Sequence, residues 1–340
     1  MMLVTSKAIR TLVVIVCIFV FVTLWKLPLH RPHSFPRPSF HDHTLPSEVD
    51  WSRFAYTQYV TNTAYLCNSV MLFETLHRLG SKADRFMMYP AEFSTQGDSV
   101  EAKLLRKARD EYGVTLAPIK VQSRNTADTT WAQSYTKLLA FNQTQYDRVL
   151  SLDSDATVLQ AMDELFLLPP SPVAIPRAYW LNFDDRVMSS QLMLVQPSAV
   201  EFSRIEQSIA AAGSKEYDME IVNDLYRDSA CILPHRPYNL VTGEFRSKNH
   251  TAYLGNSQEL WDPAEVLRET KFLHFSDWPV PKPWIQAPET VIAEKKPECE
   301  MDSQTGRYDD CRARDIWLGL YDDFAQRRQR VCGMSLSTKG

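Results

Sequence analysis

The sequence predicts an α/β domain with a mostly parallel central sheet, and three observations carry this prediction. From Trp51 onward, short apolar runs typical of strands alternate with segments in which apolar residues recur at helical spacing. The apolar run that ends at Leu152 is followed by two aspartates one residue apart, Asp153 and Asp155, and α/β proteins bind ligands beyond the carboxyl ends of their strands. The chain contains no G-x-G-x-x-G phosphate loop, which disfavours a Rossmann dehydrogenase.

The elements alternate regularly up to the two aspartates. Gly80 is placed to end the first helix, Asp98 or Ser99 can cap the second, and Gly113 can end it. The predicted elements in this part are strands at 56–61, 85–89, 115–119 and 148–152 and helices at 66–79, 98–113 and 131–141. Beyond the aspartates the alternation loosens, with predicted strands at 173–175, 191–195 and 271–275 and helices at 198–212 and 218–226.

The N-terminal sequence predicts a membrane anchor. Every residue from 11 to 25 is uncharged, and Arg10 and Lys26 can reach the headgroups, although the run is short against the roughly 20 residues of a spanning helix. No small-x-small cleavage site follows, which favours an uncleaved signal anchor over a cleaved signal peptide. The predicted organisation is a cytosolic tail at 1–10, a transmembrane signal anchor at 11–27, a Pro/His-rich stem at 28–52, a main folded domain at 53–291 and a C-terminal extension at 292–340.

Charge and glycosylation motifs bear on the partners and the compartment. The net charge is -4 without long runs of like charge, which disfavours nucleic acid as the main partner because phosphate backbones are bound by a concentrated basic face. The Lys and Arg counts on the two sides of the anchor do not decide its orientation. The stem and the Asn-x-Thr motifs at Asn142 and Asn249 favour a main domain in the secretory lumen.

Five cysteines follow the anchor segment: Cys67, Cys231, Cys299, Cys311 and Cys332. Because this count is odd, at least one is unpaired or pairs between chains. Cys299 and Cys311 bracket a polar loop and are predicted to form a disulfide. Cys67 lies on the apolar face of a predicted helix and is predicted to be a buried thiol.

The two aspartates after the fourth predicted strand are candidates for a metal site. Two hard oxygen ligands suit a divalent cation that bridges a diphosphate. A D-x-D tripeptide arises by chance on the order of once in a chain of this length. The alternative is therefore a polar turn between strand and loop that binds no metal.

A longer series of motifs resembles the glycogenin-like retaining glycosyltransferases over about residues 53–285. The matching segments are Val60-Thr61-Asn62-Thr63-Ala64-Tyr65, Tyr135-Thr136-Lys137-Leu138, Leu152-Asp153-Ser154-Asp155-Ala156-Thr157-Val158-Leu159, Asp163-Glu164-Leu165-Phe166, Val195-Gln196-Pro197-Ser198, Leu273-His274-Phe275 and Lys282-Pro283-Trp284. Within this family the chain is most similar to the fungal Golgi N-acetylglucosaminyltransferases, which are single-pass type II membrane proteins. The resemblance implies a Rossmann-like nucleotide-sugar transferase fold of the GT-A type, with one catalytic domain behind the anchor and stem.

The resemblance implies a metal, normally Mn²⁺, held by Asp153, Asp155 and His274 together with the phosphates of a UDP-sugar. Two carboxylates and an imidazole form a mixed oxygen and nitrogen set that a borderline metal accepts. By itself His274 would be interpreted as a buried core histidine, and its Leu-His-Phe context favours the ligand role. Lys282 would stabilise charge on the departing UDP, the alternative being a solvated loop lysine.

The same resemblance implies the residues of the donor pocket. Thr61, Asn62 and Tyr65 would line the uridine site, with the Tyr65 ring stacked on the base, and the alternative for Tyr65 is ordinary packing. Lys137 would reach the donor sugar or the diphosphate from its helix, the alternative being a solvent-facing lysine. Ser154, between the two aspartates, is a further donor-binding candidate.

Two departures from the family pattern bear on the donor sugar. Ser189-Ser190-Gln191 replaces an Asn-Ser-Gly segment, and Asp218-Met219 replaces Asp-Gln, at positions that contact the donor sugar in the family. A glucosyl donor is therefore disfavoured and N-acetylglucosamine is predicted, with Ser190, Gln191 and Asp218 as sugar-pocket candidates. Asp218 is also the candidate nucleophile, and its alternative role is a helix N-cap.

The sequence thus predicts a metal-dependent retaining glycosyltransferase of the Golgi membrane that moves N-acetylglucosamine from a UDP-sugar to a glycan or glycoprotein acceptor. Two alternatives stay open: the use of another UDP-sugar, such as glucose or galactose, and an inactive, membrane-tethered carbohydrate-binding protein. A nucleotidyltransferase is disfavoured because no phosphate loop rich in glycine and arginine follows the first strand. The sequence does not single out a tyrosine as an acceptor for self-glycosylation. The segment 292–340 lies outside the resemblance and receives no functional interpretation.

Overall fold

The computed structural model describes residues 49–123, 133–181, 185–301 and 306–338. The predicted tail, the anchor and most of the predicted stem lie outside these ranges. The chain divides into two compact units, 1–49 and 50–340, and all the described helices and strands belong to the second. Among the helices described, none combines the length and the apolar character needed to cross a bilayer.

Ten strands and nine α-helices are described in this unit. The strands are β1 (Phe54–Tyr59), β2 (Asp84–Pro90), β3 (Val114–Ile119), β4 (Arg148–Leu152), β5 (Ala156–Val158), β6 (Val173–Pro176), β7 (Leu192–Val195), β8 (Cys231–Leu233), β9 (Leu240–Val241) and β10 (Phe272–His274). The helices are α1 (Thr63–Arg78), α2 (Val100–Tyr112), α3 (Ala199–Ala211), α4 (Asp218–Tyr226), α5 (His235–Tyr238), α6 (Thr251–Leu254), α7 (Pro263–Glu269), α8 (Glu289–Lys295) and α9 (Arg312–Cys332). Short 3₁₀ helices cover Trp51–Arg53, Ser134–Asn142, Asp163–Leu167 and Thr242–Arg246.

Seven strands form the main sheet in the order β3-β2-β1-β4-β7-β6-β8. Strands β1 to β4 pair in parallel, β7 is antiparallel to both of its neighbours, and β6 and β8 are again parallel. The predicted α/β class with a mostly parallel sheet is therefore confirmed. Strands β2 and β3 are added to one edge of β1, and β4 then pairs with the opposite edge of β1. The order of the strands therefore reverses between β1 and β4, which makes this the topological switch point.

Apolar side chains on both faces of the sheet are buried. Along β4, Leu150 and Leu152 belong to the core beneath helix α1, whereas Val149 packs on the opposite face with the 3₁₀ helix Ser134–Asn142 and with α3. This alternation is the expected one for a strand buried on two sides. It holds the end of β4, and the aspartates that follow it, between two layers of helices.

Local sequence signals explain where the first helices begin and end. The Asn62 side chain accepts hydrogen bonds from the backbone of Ala64 and Tyr65 and so caps α1. Ser99 caps α2 in the same way, and Gly113 ends it with a positive φ of 64°, which glycine adopts without steric cost.

The disulfides confirm one cysteine prediction and overturn another. Cys299 and Cys311 are bonded as predicted. The prediction of a buried thiol at Cys67 is wrong, because Cys67 is bonded to Cys332 with a Cα–Cα distance of 5.9 Å. The two lie 265 positions apart, and periodicity around Cys67 carries no information on so distant a partner. Cys231 is free.

The C-terminal segment belongs to the same compact unit. Helix α9 packs against α1, and its Trp317 and Phe324 side chains are buried in the core cluster on the α1 side of the sheet. Arg327 and Arg328 are also buried and bond to groups of α1: Arg327 donates to the Met71 carbonyl at 2.8 Å. The back of α1, whose N-terminus faces the switch point, is thus covered by the end of the chain.

Candidate active site

The two aspartates directly follow β4, at the switch point. The Asp153 amide donates to the Gln191 carbonyl at 2.9 Å, which continues the pairing of β4 with β7. The chain then turns into β5, whose Ala156 pairs with His274 of β10. This second, three-stranded sheet is what brings a histidine 119 positions later in the sequence (274 minus 155) beside Asp155.

Asp153, Asp155 and His274 form a group that fits a divalent cation. One ligand atom from each lies within 4.8 Å of the others, and all three side chains are buried. His274 Nε2 lies 3.0 Å from Asp155 Oδ1 and 3.7 Å from Asp153 Oδ2. Buried carboxylates that face one another need a cation to balance them, and the donor set of two oxygens and one nitrogen matches a borderline metal. The predicted trio is therefore brought together.

Lys282 reaches the same carboxylates from the loop after β10. Its Nζ lies 2.5 Å from Asp155 Oδ2 and 3.1 Å from the Phe275 carbonyl oxygen. The side chain is 29% exposed. The geometry excludes the alternative of a freely solvated lysine and places a cationic group at the edge of the candidate metal site.

Lys137 contacts the trio through Asp153, whereas Lys282 contacts it through Asp155. Its Nζ lies 2.8 Å from Asp153 Oδ1 and 2.7 Å from Asp218 Oδ2, and only 5% of the side chain is exposed. Ser190 Oγ also donates to Asp218 Oδ2, at 2.7 Å. The alternative of a solvent-facing Lys137 is thus wrong. Asp218 is not the N-cap of α4 either, since Tyr217 occupies that position.

Burial and neighbouring charges set the protonation of the carboxylates. Burial acts to raise the pKa of Asp155, but His274 and Lys282 outweigh it and hold this pKa well below its usual range. Burial also acts to raise the pKa of Asp218. The charge and the hydrogen bond of Lys137 outweigh burial, so the pKa of Asp218 is lowered. At Asp153 burial prevails and raises the pKa, with a further contribution from the charge of Asp155.

The charges of the site leave room for both a cation and an anion. Leaving His274 aside, the three carboxylates and two ammonium groups sum to one negative charge. A divalent cation added to this group makes the site positive, and a diphosphate can then bind. The arrangement is electrostatically suited to a metal diphosphate rather than to either ion alone.

Aromatic side chains line the site toward α1. The Tyr59 hydroxyl donates to Asp153 Oδ1 at 3.2 Å. The Tyr65 ring packs edge to face on Trp284 with 5.0 Å between centroids, and burial followed by the charge of Asp155 raises the pKa of its phenol. Sequence reasoning missed Tyr59, although its position as the last residue of β1 is the available signal. It also assigned no role to Trp284, which lies in the Lys-Pro-Trp motif.

The remaining donor-pocket candidates differ in burial and in hydrogen bonding. Thr61 is half-buried and Asn62 is exposed, with its side-chain oxygen engaged in the cap of α1. Ser154 is buried. The Oγ of Ser189 and the Oε1 of Gln191 are buried atoms without a hydrogen-bond partner among the described residues. Both atoms are shielded from solvent, so a ligand does not reach either of them without a local rearrangement.

Comparison with known proteins identifies relatives. No protein-family model matches the chain. It is 61% identical over 291 residues to glucose N-acetyltransferase 1 of Gibberella zeae, and the alignment covers 84% of this chain and 63% of that protein. It is 45% identical over 332 residues to glucose N-acetyltransferase 1 of Aspergillus fumigatus, where the alignment covers 93% of this chain and 85% of the relative. The chain thus spans less than two thirds of the length of the Gibberella relative.

Solved structures show the same fold at low identity. A bifunctional glycosyltransferase, WbbM, superposes with a TM-score of 0.53 at 15% identity, over 84% of this chain and 51% of that one. The glycosyltransferase GlyE of Streptococcus pneumoniae superposes with a TM-score of 0.50 at 18% identity, over 84% of this chain and 65% of that one. The architecture is therefore that of the GT-A glycosyltransferases.

Proposed function

Because the chain belongs to the fungal glucose N-acetyltransferase 1 family and has the GT-A fold, we propose that it transfers a sugar from a UDP-sugar to a glycan hydroxyl with retention of anomeric configuration. The observation that carries this proposal is the buried group of Asp153, Asp155 and His274, flanked by two lysines at the topological switch point. The chain is an enzyme in this proposal, and an inactive carbohydrate-binding protein is the alternative.

Asp153, Asp155 and His274 would hold the divalent cation, for which we propose Mn²⁺. The cation supplies Lewis acidity that stabilises negative charge on a leaving diphosphate. Lys282, now bound to Asp155, is placed to donate to the same leaving group. A cationic side chain aimed at developing charge, and already positioned before the reaction, lowers the barrier without reorganisation.

Lys137 and Asp218 organise the sugar end of the site. Lys137 ties Asp218 to Asp153, and Ser190 donates to Asp218, so this carboxylate stays ionised and fixed. An ionised carboxylate beside the donor sugar can stabilise positive charge at the anomeric carbon or attack it. If the acceptor hydroxyl attacks the anomeric carbon from the same face that UDP leaves, no side chain of the enzyme has to act as a nucleophile. Since Lys137 and Ser190 hold this carboxylate ionised and in place, we propose the stabilising role.

N-acetylglucosamine is the proposed donor sugar. The name of the relatives joins glucose with an N-acetyl group. The departures from the glycogenin-like pattern at Ser189-Ser190-Gln191 and Asp218-Met219 support this choice. Taken literally, however, the name describes acetyl transfer to an amino sugar, which is the second candidate function. Another UDP-sugar, such as glucose or galactose, is the third.

A doubly labelled donor separates these functions. UDP-N-acetylglucosamine labelled in the acetyl group and, with a second isotope, in the sugar ring is incubated with the protein, Mn²⁺ and a mixture of oligosaccharides. Sugar transfer places both labels in the oligosaccharide and releases UDP. Acetyl transfer to an amino sugar needs an activated acetyl donor, so a parallel incubation with a labelled acetyl thioester and amino-sugar oligosaccharides detects it as label gained without UDP release. Absence of UDP release from every UDP-sugar tested refutes the proposed activity.

We also propose a Golgi location with a luminal catalytic domain and a type II anchor at 11–27. Two disulfides support an oxidising compartment, because they are rare in cytosolic proteins. Asn142 and Asn249 are exposed and so accessible for N-glycosylation. Expression in a fungal host tests this: we expect a membrane-bound chain whose mass falls on glycosidase treatment. An unglycosylated chain that leaves the membrane in carbonate contradicts it.

A further inference from the structure

Trp278 is the most exposed of the large apolar side chains described in the structure, at 90%. Tryptophan side chains are mostly buried on average, because the indole ring carries a large apolar area. An indole ring that faces solvent almost completely contributes nothing to the core. Its exposure is the feature that requires an explanation.

The loop that carries Trp278 is attached to the candidate metal site at both ends. It begins after His274, whose Nε2 lies 3.0 Å from Asp155, and it ends at Lys282, whose Nζ lies 2.5 Å from the same carboxylate. Trp278 is four residues from each of them. Since an extended chain spans about 3.5 Å per residue, its Cα lies within about 14 Å of both, a distance of two or three sugar rings.

The backbone of this loop is fixed next to Trp278. Asp277 is buried and accepts from Trp317 Nε1 at 2.6 Å, from Tyr321 OH at 3.1 Å and from Arg246 Nε at 2.5 Å. Arg246 also donates to the Trp278 carbonyl oxygen at 3.1 Å. Two of these partners belong to α9. The C-terminal segment therefore holds the loop in place, while the indole ring itself stays free.

We propose that Trp278 is the platform on which the acceptor sugar stacks. The proposal rests on the function proposed above. A pyranose has an apolar C–H face and hydroxyls around its edge, so a flat aromatic ring can cover the face without removing the hydroxyls from water. The donor occupies the buried crevice at Asp153 and Asp155, and the acceptor must reach it from solvent. A rigid exposed indole at the rim binds such a ring at little entropic cost.

The composition of the loop favours a sugar over a lipid surface. Proteins bind membranes through several aromatic and basic side chains together. In 275–283 the only basic residue is Lys282, and it is turned toward Asp155. Asp277 is engaged with its partners. The exposed side chains of the loop are the Ser276 hydroxyl and the Trp278 ring, and a single aromatic ring matches a single sugar.

Binding of simple sugars tests the platform without catalysis. Saturation-transfer NMR is recorded with methyl glycosides of glucose, galactose and mannose, on the wild-type protein and on Trp278→Ala, Trp278→Phe and Leu260→Ala. Leu260 is the matched control, since its apolar side chain is 88% exposed outside the loop. We expect at least one glycoside to bind the wild type, with signal reduced about fivefold to tenfold in Trp278→Ala and largely kept in the other two variants.

Kinetics supply the second readout. For Trp278→Ala we expect the acceptor KM to rise about fivefold to tenfold, with kcat and the hydrolysis of UDP-N-acetylglucosamine by water within about twofold of wild type. Equal glycoside binding by Trp278→Ala and wild type, or no binding of any glycoside to the wild type, overturns the proposal. Lost binding of Trp278→Ala to vesicles of anionic lipid, with glycoside binding unchanged, overturns it in favour of a membrane contact. If the wild type releases no UDP, the proposed function fails while the NMR result still decides on Trp278.

Discussion

Asp155 is the residue on which the site depends most, because it contacts both His274 and Lys282. Replacing it by Asn removes a charged ligand of the proposed cation and changes little in shape. For Asp155→Asn we expect UDP release to fall about a hundredfold or more in a protein that still folds, with a lower melting temperature because the ion pairs with His274 and Lys282 are lost. Glu111→Gln, on the surface of α2, is the control and should keep full activity. An Asp155→Asn protein with most of its activity contradicts the metal role.

Lys137 combines a functional position with a structural one. Removing its charge leaves Asp153 and Asp218 buried and close together without their shared partner. We therefore expect Lys137→Met to lower the free energy of unfolding by about 3–5 kcal/mol in urea denaturation. The same change at Lys107, which pairs with Glu111 on the surface, should cost less than about 1 kcal/mol. Equal losses would show that the buried ion group does not stabilise the fold.

The environment of His235 predicts that the stability of the fold depends on pH, through a group that is not part of the active site. Burial lowers its pKa in the folded protein, Arg236 adds to this, and the bond to the Tyr253 carbonyl oxygen opposes it. The folded state therefore favours the neutral ring. Stability should be lost as the pH falls below the ordinary value of 6.5 and through the lowered folded pKa. His235→Gln should show a smaller fall in melting temperature between about pH 7.5 and pH 5.5 than wild type, and an equal fall would refute the assignment.

At the scale of elements, most of the main sheet could be located from the sequence. Strands β1 to β4 and helices α1 to α4 lie within a few residues of their predicted positions, because apolar periodicity is strong in segments buried on one or both faces. Strands β5, β8 and β9 were missed, since two or three residues are too few to show alternation. Yet β5 is the strand that pairs with β10 and so brings His274 to Asp155.

Helix α9 was missed for a different reason. Its buried face runs from Trp317 through Phe324 to Val331, and the turn between the last two presents Arg327 and Arg328 instead of apolar residues. Both arginines are buried against α1, where Arg328 donates to Asn68 Oδ1 at 3.0 Å. A periodicity argument interprets such arginines as a solvated face. The pattern of residues therefore does not indicate that the C-terminal segment completes the core.

The two disulfides should stabilise these elements unequally. The bond between Cys67 and Cys332 closes a separation of 265 positions and that between Cys299 and Cys311 one of 12. In the chain-entropy account the first is worth about 5 kcal/mol and the second about 3 kcal/mol. Urea denaturation of Cys67→Ser/Cys332→Ser and Cys299→Ser/Cys311→Ser measures the two losses. A larger loss for the short loop would contradict this ranking.

Over the whole described unit, every proposed role is placed around the switch point between β1 and β4. The nucleotide side faces the start of α1, the sugar side faces Lys137 and Asp218, and the acceptor side is the loop with Trp278. The chemical type of the site could be predicted because the series of motifs resembles the glycogenin-like glycosyltransferases, whereas the position of the two aspartates at a strand end left a metal site and a polar turn both open. The contacts among Lys137, Asp153 and Asp218 could not, since they depend on tertiary packing of the 3₁₀ helix and α4 across the sheet.

The central claim is that Asp153, Asp155 and His274 bind one cation together, and pulsed electron paramagnetic resonance of Mn²⁺ tests it most directly. The spectrum is recorded with Mn²⁺ and UDP on the wild-type protein and on His274→Gln. We expect nitrogen modulation from an imidazole ligand in the wild type and its loss in the variant, with Mn²⁺ bound more weakly. Bound Mn²⁺ without nitrogen coupling in the wild type, or with coupling that persists in His274→Gln, would contradict the account.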